Sequence, residues 1–476
     1  MLQISEKEVE NRLRLDNPWW VAGEGIDAQY HHLPERAYLN SFVRLIQQRD
    51  VHRAVVLLGP RRVGKTVLVH QAIKHLLTNQ IVPGRDILYI SLETPIFTGI
   101  ALENIVNRFQ KLFQRPSNSP LFIFFDEIQY LKDWEIHLKS LVDSYQSLKF
   151  IATGSAAAAL KTKSLESGAG RFTEFLLPPL TFAEFLRFIE REDELIEKHE
   201  SEKGHPRYSA RDIFELNKEL INYINFGGYP EAVFKKTIRD DPRRFIKSDI
   251  IDKVLLRDLP SLYGISDIQE LNSLFNNLAY NTAEELSLEG LSKTAHVAKN
   301  TLQNYLKYLE AAFLIRRVRR VDENAAHFKR AATFKVYLTN PSMRAALFGP
   351  AKENDEAMGH LMETAVFSQW LHNSAYVESL YYARWKKGEV DFVSLDPGTQ
   401  RPRFSVEVKW SDRAFEDFKE IKATIEFNRK HKMPRNPLVT TYSKEGTKIF
   451  DGLTIDFVPV SLHCYTVAKN TLERRR

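Results

Sequence analysis

The amino-acid sequence predicts a multidomain α/β protein that contains a parallel β-sheet covered by helices. Two observations lead to this prediction. The chain has 476 residues and a mass of 55.2 kDa, which is more than one hydrophobic core usually organises, so about three units of roughly 150 residues are expected. Its N-terminal part also alternates short apolar runs with helical patterns, which is typical of parallel strands that are buried on both faces.

The composition is that of a globular protein. Hydrophobic residues make up 43% of the chain and charged residues 27%, which excludes the disordered and fibrous classes. The single cysteine indicates a reducing compartment and excludes a cysteine-based zinc site. No apolar run approaches the roughly 20 residues that a membrane span needs, and the first residues lack a secretion signal. We therefore expect a cytoplasmic protein without a membrane partner.

Four short apolar runs in the N-terminal region are predicted to be strands. Helical patterns lie between them, and the first of these patterns covers Thr66 to Leu77. The four predicted strands are Ala54 to Leu58, Ile87 to Leu92, Leu121 to Phe125 and Leu148 to Ala152.

A glycine-containing loop joins the first predicted strand to the first predicted helix. Its sequence, Gly59-Pro60-Arg61-Arg62-Val63-Gly64-Lys65-Thr66, matches the G-x-x-x-x-G-K-[ST] phosphate loop known as Walker A. The glycines let the backbone wrap around phosphates, and the amides at the helix start donate hydrogen bonds to them. Lys65 is expected to pair with phosphate oxygens and Thr66 to ligate Mg²⁺. The motif therefore predicts a nucleotide-binding site.

Two acidic residues follow the third predicted strand and correspond to a Walker B motif. We expect Asp126 to position Mg²⁺ and Glu127 to polarise the attacking water. After the next strand, Thr153 or Ser155 could contact the γ-phosphate or the water, although a plain turn is an equal alternative. No Asn-Lys-x-Asp motif for guanine is present in the sequence, so the expected cofactors are ATP and Mg²⁺.

These motifs resemble those of AAA+ ATPases of an archaeal-type branch found in bacteria and archaea. The resemblance rests on GPRRVGKT, FFDEIQ, ATGS, GAGR (Gly168 to Arg171), PPLTFAEFL and the opening Asn17-Pro18-Trp19-Trp20. It implies a P-loop NTPase fold and a sensor residue at Thr153 or Ser155. It also implies an arginine finger that acts on a neighbour's nucleotide and hence a homo-oligomer; Arg171 is a candidate, and a surface arginine is the alternative.

A second feature of this resemblance is the turn Gly227-Gly228-Tyr229-Pro230. It resembles the turn that begins the helical lid in related switch ATPases, which implies that Pro230 lies near the nucleotide. The alternative is a simple helix-breaking turn.

The basic residues are concentrated in one part of the chain. The net charge is +6 overall, but eleven basic residues oppose three acidic ones between Leu291 and Ala345, a net charge of +8. The segment from Leu288 to Val318 resembles a winged helix-turn-helix, which indicates DNA as a partner, with a packing module as the alternative. The residues expected in a major groove are Asn300, Thr301, Gln303, Asn304 and Lys307, and those expected on phosphates are Arg316, Arg317, Arg319 and Arg320.

A set of carboxylates stands out in the C-terminal region. Glu407 and Lys409 share one face of a predicted strand. Asp391 and Glu407 could hold Mg²⁺ or Mn²⁺, with Lys409 orienting a water molecule for phosphodiester hydrolysis. This set resembles the PD-(D/E)xK nuclease fold, which has a helix, three strands, a helix and a strand and implies Glu363 as the helix acid. The Pro-Asp pair of that family is absent, because Asp391 follows Glu389-Val390, and this departure leaves room for a domain that only binds DNA.

The predicted chain therefore has five parts and two possible functions. The first possibility is an AAA+ ATPase that couples its nucleotide state to DNA binding and to Mg²⁺-dependent DNA cleavage. The alternative is an ATP-dependent switch or DNA-binding scaffold with a catalytically silent nuclease-like domain. The predicted parts are an N-terminal segment (1–40), the ATPase core (41–195), a helical lid with the winged helix (196–330), a restriction-endonuclease-like α/β domain (331–460) and a basic tail (461–476).

Overall fold

A computed structural model describes most of the chain and divides it into two compact units. The first unit ends at Pro178 and the second begins at Pro179, whereas the sequence analysis placed this boundary at 195. Gly168, part of the GAGR motif, lies outside the described residues. The described residues are 5–78, 81–97, 99–155, 170–200, 206–326 and 333–473.

The described part of the first unit is built on a parallel five-stranded sheet. Its strands are β1 (Ala54–Leu58), β2 (Ile87–Ser91), β3 (Phe122–Asp126), β4 (Lys149–Gly154) and β5 (Phe172–Leu176). They lie in the order β2-β3-β4-β1-β5. The first four agree with the sequence prediction to within two residues. The strand β5 was not predicted, because its side chains are mostly half-buried and form no continuous apolar run.

Helices connect these strands, and the helix Lys65–Thr78 begins within the phosphate loop. It buries Leu68, Val69, Ala72, Ile73 and Leu76, as its helical spacing of apolar residues predicts. The other α-helices among the described residues of this unit are Glu6–Asp16, Ala28–His31, Leu39–Gln47, Leu102–Leu112 and Trp134–Ser144. Short 3₁₀ helices lie at Pro18–Trp20, Gly84–Asp86, Pro95–Phe97 and Ile128–Tyr130.

The segment Asn17-Pro18-Trp19-Trp20 covers the free edge of β2. The Asn17 side chain accepts a hydrogen bond from Tyr89 N at 2.7 Å and donates to Tyr89 O at 2.9 Å and Leu13 O at 2.8 Å. The indole of Trp20 donates to Ile87 O at 2.8 Å. Side chains thus satisfy backbone groups that an edge strand would otherwise expose.

The second unit contains a nine-stranded mixed sheet and a separate hairpin. The sheet order is β15-β16-β14-β13-β12-β11-β9-β10-β8, and the hairpin is β6 with β7. The strands are β6 (Ile196–His199), β7 (Arg207–Ala210), β8 (Glu285–Ser287), β9 (Ile315–Val321), β10 (Thr333–Leu338), β11 (Leu380–Trp385), β12 (Gly388–Leu395), β13 (Pro402–Glu407), β14 (Leu438–Thr441), β15 (Gly446–Phe450) and β16 (Leu453–Pro459).

The longest described helices of the second unit have 13 or 14 residues and are Ile213–Phe226, Ile268–Tyr280, Lys299–Ala311, Met358–Trp370 and Val460–Glu473. The chain is also helical, with wide π-type turns, over Arg243–Asp252 and Val254–Asp258. The α-helices are Phe182–Phe188, Glu192–Leu195, Ile213–Phe226, Pro230–Phe234, Lys236–Asp240, Leu259–Tyr263, Ile268–Tyr280, Leu288–Ala295, Lys299–Ala311, Ser342–Phe348, Met358–Trp370, Ser374–Glu378, Arg413–Glu416, Lys422–His431 and Val460–Glu473, and Phe418–Ile421 is a 3₁₀ turn.

The nine-stranded sheet runs across the domain boundary predicted at 330. β10 pairs antiparallel with both β8 and β9, and β9 pairs in parallel with β11. The basic hairpin of β9 and β10 and the strands β11 to β14 therefore belong to one sheet. A side chain on β10 can therefore contact the carboxylates of the C-terminal region.

The predicted basic tail is instead a buried helix through Glu473. The helix Val460–Glu473 buries Leu462, Cys464, Tyr465 and Ala468. It packs against the helix Met358–Trp370. Apolar residues recur at helical spacing in this segment, which is why it is buried although its last three residues are arginines.

We predict that Asn17→Ala destabilises the β2 edge by about 2 to 4 kcal/mol, because it leaves buried backbone groups of Tyr89 unpaired. Hydrogen–deuterium exchange of peptides that contain β2 should become faster. Asn118→Ala is the matched control, because Asn118 is exposed and should change this exchange little. Equal exchange in both variants would contradict the assigned role of Asn17.

Candidate functional site

The phosphate loop follows β1 and requires glycine at its first position. A Cβ atom on Gly59 would lie 2.3 Å from the carbonyl oxygen of Leu177, closer than atoms can approach. Arg62 and Gly64 have φ angles of 65° and 94°, so the loop turns through left-handed conformations. The Lys65 ammonium lies inside this loop and donates to Gly59 O at 3.2 Å and Pro60 O at 3.0 Å.

A buried arginine outside the motif fixes the loop. The Arg36 guanidinium donates to Val63 O at 2.8 Å and to Pro178 O at 3.0 Å. Only 4% of Arg36 is exposed, so these bonds satisfy a charge that burial would otherwise penalise. The sequence analysis missed Arg36 because no motif surrounds it.

Asp126 is the centre of the hydrogen bonds beside the loop. Its carboxylate accepts from Thr66 Oγ1 at 2.9 Å, from Tyr89 OH at 3.0 Å and from the hydroxyl of Thr153. Burial raises the pKa of Asp126, and the neighbouring charge of Glu127 raises it further. The three donors offset part of this cost and hold the carboxylate in one orientation.

Thr153 links the two acidic residues. Its hydroxyl donates to Asp126 and accepts from the backbone N–H of Glu127 at 3.0 Å. Glu127 has a φ of 55°, and its side chain accepts a hydrogen bond from the Gln129 amide. The backbone N–H of Ser155 in turn donates to Gln129 Oε1 at 3.2 Å. The predicted sensor residues thus lie next to the predicted acids.

The Ser155 hydroxyl differs from the Thr153 hydroxyl. It is buried and has no hydrogen-bond partner among the described residues. It directly follows β4, at the carboxyl edge of the sheet where the phosphate loop also begins. A polar ligand at this edge could satisfy it.

Two residues assigned from the family resemblance are not found at the phosphate loop. Arg171 lies in the first unit but away from the loop, and Pro230 belongs to the second unit. Arg171 precedes β5 and forms an ion pair with Asp143. Because Phe172 pairs with Ala54 in a parallel ladder, Arg171 lies at the opposite end of β1 from the loop. Pro230 begins the helix Pro230–Phe234 of the second unit. Both assigned roles stay predictions.

The side chains around the loop fit a nucleotide with Mg²⁺. The glycine-dependent loop would hold the phosphates, with the Lys65 ammonium beside them. Thr66 and Asp126 would hold Mg²⁺, which neutralises phosphate charge when bound. Glu127 would then accept a proton from, or orient, a water molecule, and the Thr153 hydroxyl fixes the backbone from which Glu127 extends.

The four C-terminal residues of the predicted nuclease-like site also come together. Lys409 Nζ lies 2.7 Å from Glu407 Oε1, and Asp391 Oδ2 accepts from Val408 N at 2.8 Å. Glu363 extends from the helix Met358–Trp370 and is buried. Burial and the nearby charge of Asp391 raise the pKa of Glu363 to about 8 and that of Glu407 to about 7.

A lysine that the sequence analysis did not assign lies among these carboxylates. Lys335 Nζ on β10 is 2.8 Å from Glu363 Oε1, 2.7 Å from Glu389 Oε1 and 3.4 Å from Asp391 Oδ1. The sequence analysis counted Lys335 as part of the basic DNA-binding segment. The sequence does contain an indication of this burial, because Lys335 is the one charged residue within the otherwise apolar strand FKVYL.

This arrangement does not fit the predicted Mg²⁺ or Mn²⁺ at Asp391 and Glu407. Among the residues described, no group of three or more His, Cys, Asp or Glu side chains is arranged to hold a metal ion. The ammonium of Lys335 lies 3.4 Å from Asp391 Oδ1, and that of Lys409 lies 2.7 Å from Glu407 Oε1, so each of the two predicted ligands already pairs with a lysine. We therefore derive no reaction step through a metal at this site.

The predicted DNA-contacting residues divide into exposed and internally bonded groups. On the helix Lys299–Ala311, Asn300, Gln303, Asn304 and Lys307 are exposed, and Thr301 is half-buried. On β9, Arg319 is exposed and Arg316 is half-buried. Arg317 pairs with Glu310 at 2.6 Å, and Arg320 donates to Arg384 O at 2.8 Å. These last two arginines have intramolecular roles that the sequence analysis did not expect.

Two family models match parts of this chain. Residues 51–186 match the model described as an AAA domain, and residues 217–354 match a domain of unknown function, DUF8612. The first match covers β1 to β5 and the phosphate loop. The match supports an AAA domain in this part of the chain, with the P-loop that the sequence motif predicts.

Similar proteins extend over most of the chain. An uncharacterized protein of Methanocaldococcus jannaschii, MJ1544, is 28% identical over 413 residues, 84% of each chain. An uncharacterized protein of Haemophilus influenzae is 25% identical over 366 residues, 75% of this chain and 82% of that protein. A solved structure, the Aeropyrum pernix ORC1 protein in complex with DNA, aligns with 64% of this chain and 90% of that chain at 12% identity and a TM-score of 0.31.

The described helices give no sign of a membrane span. None of them combines the length and the apolar character that crossing a bilayer requires.

We predict that Thr153→Val lowers the rate of ATP turnover by about tenfold to a hundredfold while nucleotide affinity changes little, because the hydroxyl orients Asp126 and the backbone of Glu127. Steady-state turnover and equilibrium binding of a fluorescent ATP analogue measure the two quantities. Thr173→Val on β5 is the control for the loss of a threonine hydroxyl. A matching loss in that control would assign the effect to the sheet and not to Thr153.

Proposed function

We propose that this protein is an ATP-dependent switch that hydrolyses ATP in its first unit and binds duplex DNA through its second. The observation that carries the proposal is the hydrogen-bonded set of Thr66, Asp126 and Thr153 beside a loop that requires Gly59. Such a set changes its contacts when a nucleotide enters, because Asp126 and Thr66 would then share a metal ion.

The DNA part of the proposal rests on one helix and the hairpin that follows it. The helices Leu288–Ala295 and Lys299–Ala311 are joined by a short turn at His296, and β9 and β10 follow as an antiparallel pair. This order supports a winged helix-turn-helix, whose second helix would lie in the major groove. Its exposed face carries amide side chains and Lys307, which are groups that read base edges and contact phosphates.

Fewer basic side chains are available for DNA than the count of eleven in the sequence indicated. Lys335 is buried against carboxylates, and Arg317 is paired with Glu310. Basic side chains that remain exposed or half-buried on the second helix and the first hairpin strand are Lys299, Lys307, Arg316 and Arg319. They lie on the second helix and the first hairpin strand, so we expect the DNA backbone to pass along these two elements.

DNA cleavage is a second candidate function. Glu363, Asp391, Glu407 and Lys409 come from separate elements and meet in one place, which favours a relationship to metal-dependent nucleases. Lys335 argues against a metal in this arrangement. We therefore place the silent nuclease-like domain ahead of the active one. Incubation of supercoiled and branched DNA with Mg²⁺ or Mn²⁺ tests this order, since cleavage that Asp391→Ala removes would reverse it.

We predict that Lys65→Ala abolishes ATP turnover and removes any effect of ATP on DNA affinity, because the loop loses its phosphate-pairing cation. DNA affinity without nucleotide should stay unchanged. Phosphate release and fluorescence anisotropy with labelled duplex DNA measure these quantities. Lys74→Ala, on the outward part of the same helix, is the control. A wild-type DNA affinity that is identical with and without ATP would leave the ATPase in place but contradict the switch.

We predict that Lys307→Ala weakens DNA binding similarly for all sequences and reduces the salt dependence by about one charge, because Lys307 would contact a phosphate. Binding isotherms at several salt concentrations give this slope. Lys422→Ala is a suitable control, since Lys422 is exposed on a different helix and its side chain is 76% exposed. An equal loss in both variants would indicate a general charge effect and not a DNA-contacting helix.

A further inference from the structure

A buried lysine in the second unit contacts three of four neighbouring carboxylates. We call Glu363, Glu389, Asp391 and Glu407 the carboxylate cluster. Lys335 is 3% exposed, and its ammonium lies within ion-pair distance of Glu363, Glu389 and Asp391. An ammonium group has three N–H donors, and each of them can be directed at one of these carboxylates.

The strand pairing fixes the position of Lys335. Within β10, Lys335 pairs with Glu285 of β8 on one side and with Val318 of β9 on the other. Its ammonium also lies 5.6 Å from the centre of the Tyr382 ring. The side chain therefore extends from a strand that is paired on both sides, unlike a surface lysine that samples many rotamers.

Protein groups also satisfy the other inward oxygens of the carboxylate cluster. Glu407 accepts from Lys409 at 2.7 Å and from Thr424 Oγ1 at 2.8 Å. Asp391 accepts from the backbone of Val408 at 2.8 Å, and Arg384 lies 3.1 Å from Glu389 Oε2. A divalent cation entering here would have to displace Lys335 and break several of these bonds.

We propose that Lys335 is a tethered cation that takes the place of a metal ion in the carboxylate cluster. The cluster is assembled and neutralised by Lys335, Lys409 and Arg384, and it binds no divalent cation while Lys335 is present. Removal of the Lys335 charge takes away the ammonium that contacts both Glu363 Oε1 and Asp391 Oδ1, and Tyr337 OH remains as a donor to Glu363. The two carboxylate oxygens are hard ligands of the kind that Mg²⁺ and Mn²⁺ prefer.

This inference extends the proposed function, since it rests on the nuclease-like domain being silent and gives the residue responsible. Its test needs neither nucleotide nor DNA. If the metal test fails, the proposed ATP turnover and DNA binding can still hold for the same protein. If those activities are absent, the Mn²⁺ measurement can still be made and interpreted.

The test is Mn²⁺ binding by the full chain without nucleotide, followed by electron paramagnetic resonance of free Mn²⁺. Lys335→Met removes the charge and keeps a side chain of similar length. We expect this variant to gain a Mn²⁺ site that is about tenfold or more tighter than any site of the wild type. Adding Asp391→Asn to Lys335→Met should remove the gained site.

Lys409→Met is the matched control, because it removes a lysine that contacts Glu407 and leaves Lys335 in place. It should gain no site. The proposal is overturned if the wild type binds a Mn²⁺ that Asp391→Asn removes, or if folded Lys335→Met binds no more Mn²⁺ than the wild type. If Lys335→Met does not fold, comparing Mn²⁺ binding by the wild type and by Asp391→Asn still tests the proposal. Lys335→Met with Glu389→Gln provides a second variant, in which fewer buried carboxylates lack a counter-charge.

Discussion

Buried charge must be paired, and this requirement shapes both sites of the protein. A carboxylate that leaves water without a partner costs several kcal/mol, so folded chains surround it with donors or cations. Asp126 meets this requirement with three hydroxyl donors. The carboxylate cluster meets it with lysine and arginine side chains in addition to hydroxyl and backbone donors. The choice of partner separates the two sites chemically.

Hydroxyl partners leave a carboxylate negatively charged and available to a cation. The donors around Asp126 orient it without cancelling its charge, and Thr66 itself contributes an oxygen. Such a site can take Mg²⁺ together with a nucleotide. An ammonium partner cancels charge and occupies the space between oxygens. The carboxylate cluster therefore has the acids of a metal site but a different electrostatic state.

The sequence predicted the elements of the first unit well because its strands are continuous apolar runs and its loop is a specific motif. The strand β5 and the role of Arg36 were not predicted, because neither belongs to a continuous apolar run or to a sequence motif. Arg36 contacts Val63 and Pro178, which are far apart in sequence. Such a contact forms only when the folded chain brings distant residues together, so no local sequence pattern predicts it.

The second unit illustrates what a charge count leaves out. Counting basic residues from Leu291 to Ala345 treats Lys307 and Lys335 as equal contributions to one positive surface. In the structure, Lys307 is exposed on a helix, whereas Lys335 is buried beside Glu363. Because β10 continues the sheet that carries Asp391, its inward side chains meet acids that are distant in sequence. The sign of a residue's charge can be read from sequence, but the partner that determines its function is set by the register of the sheet.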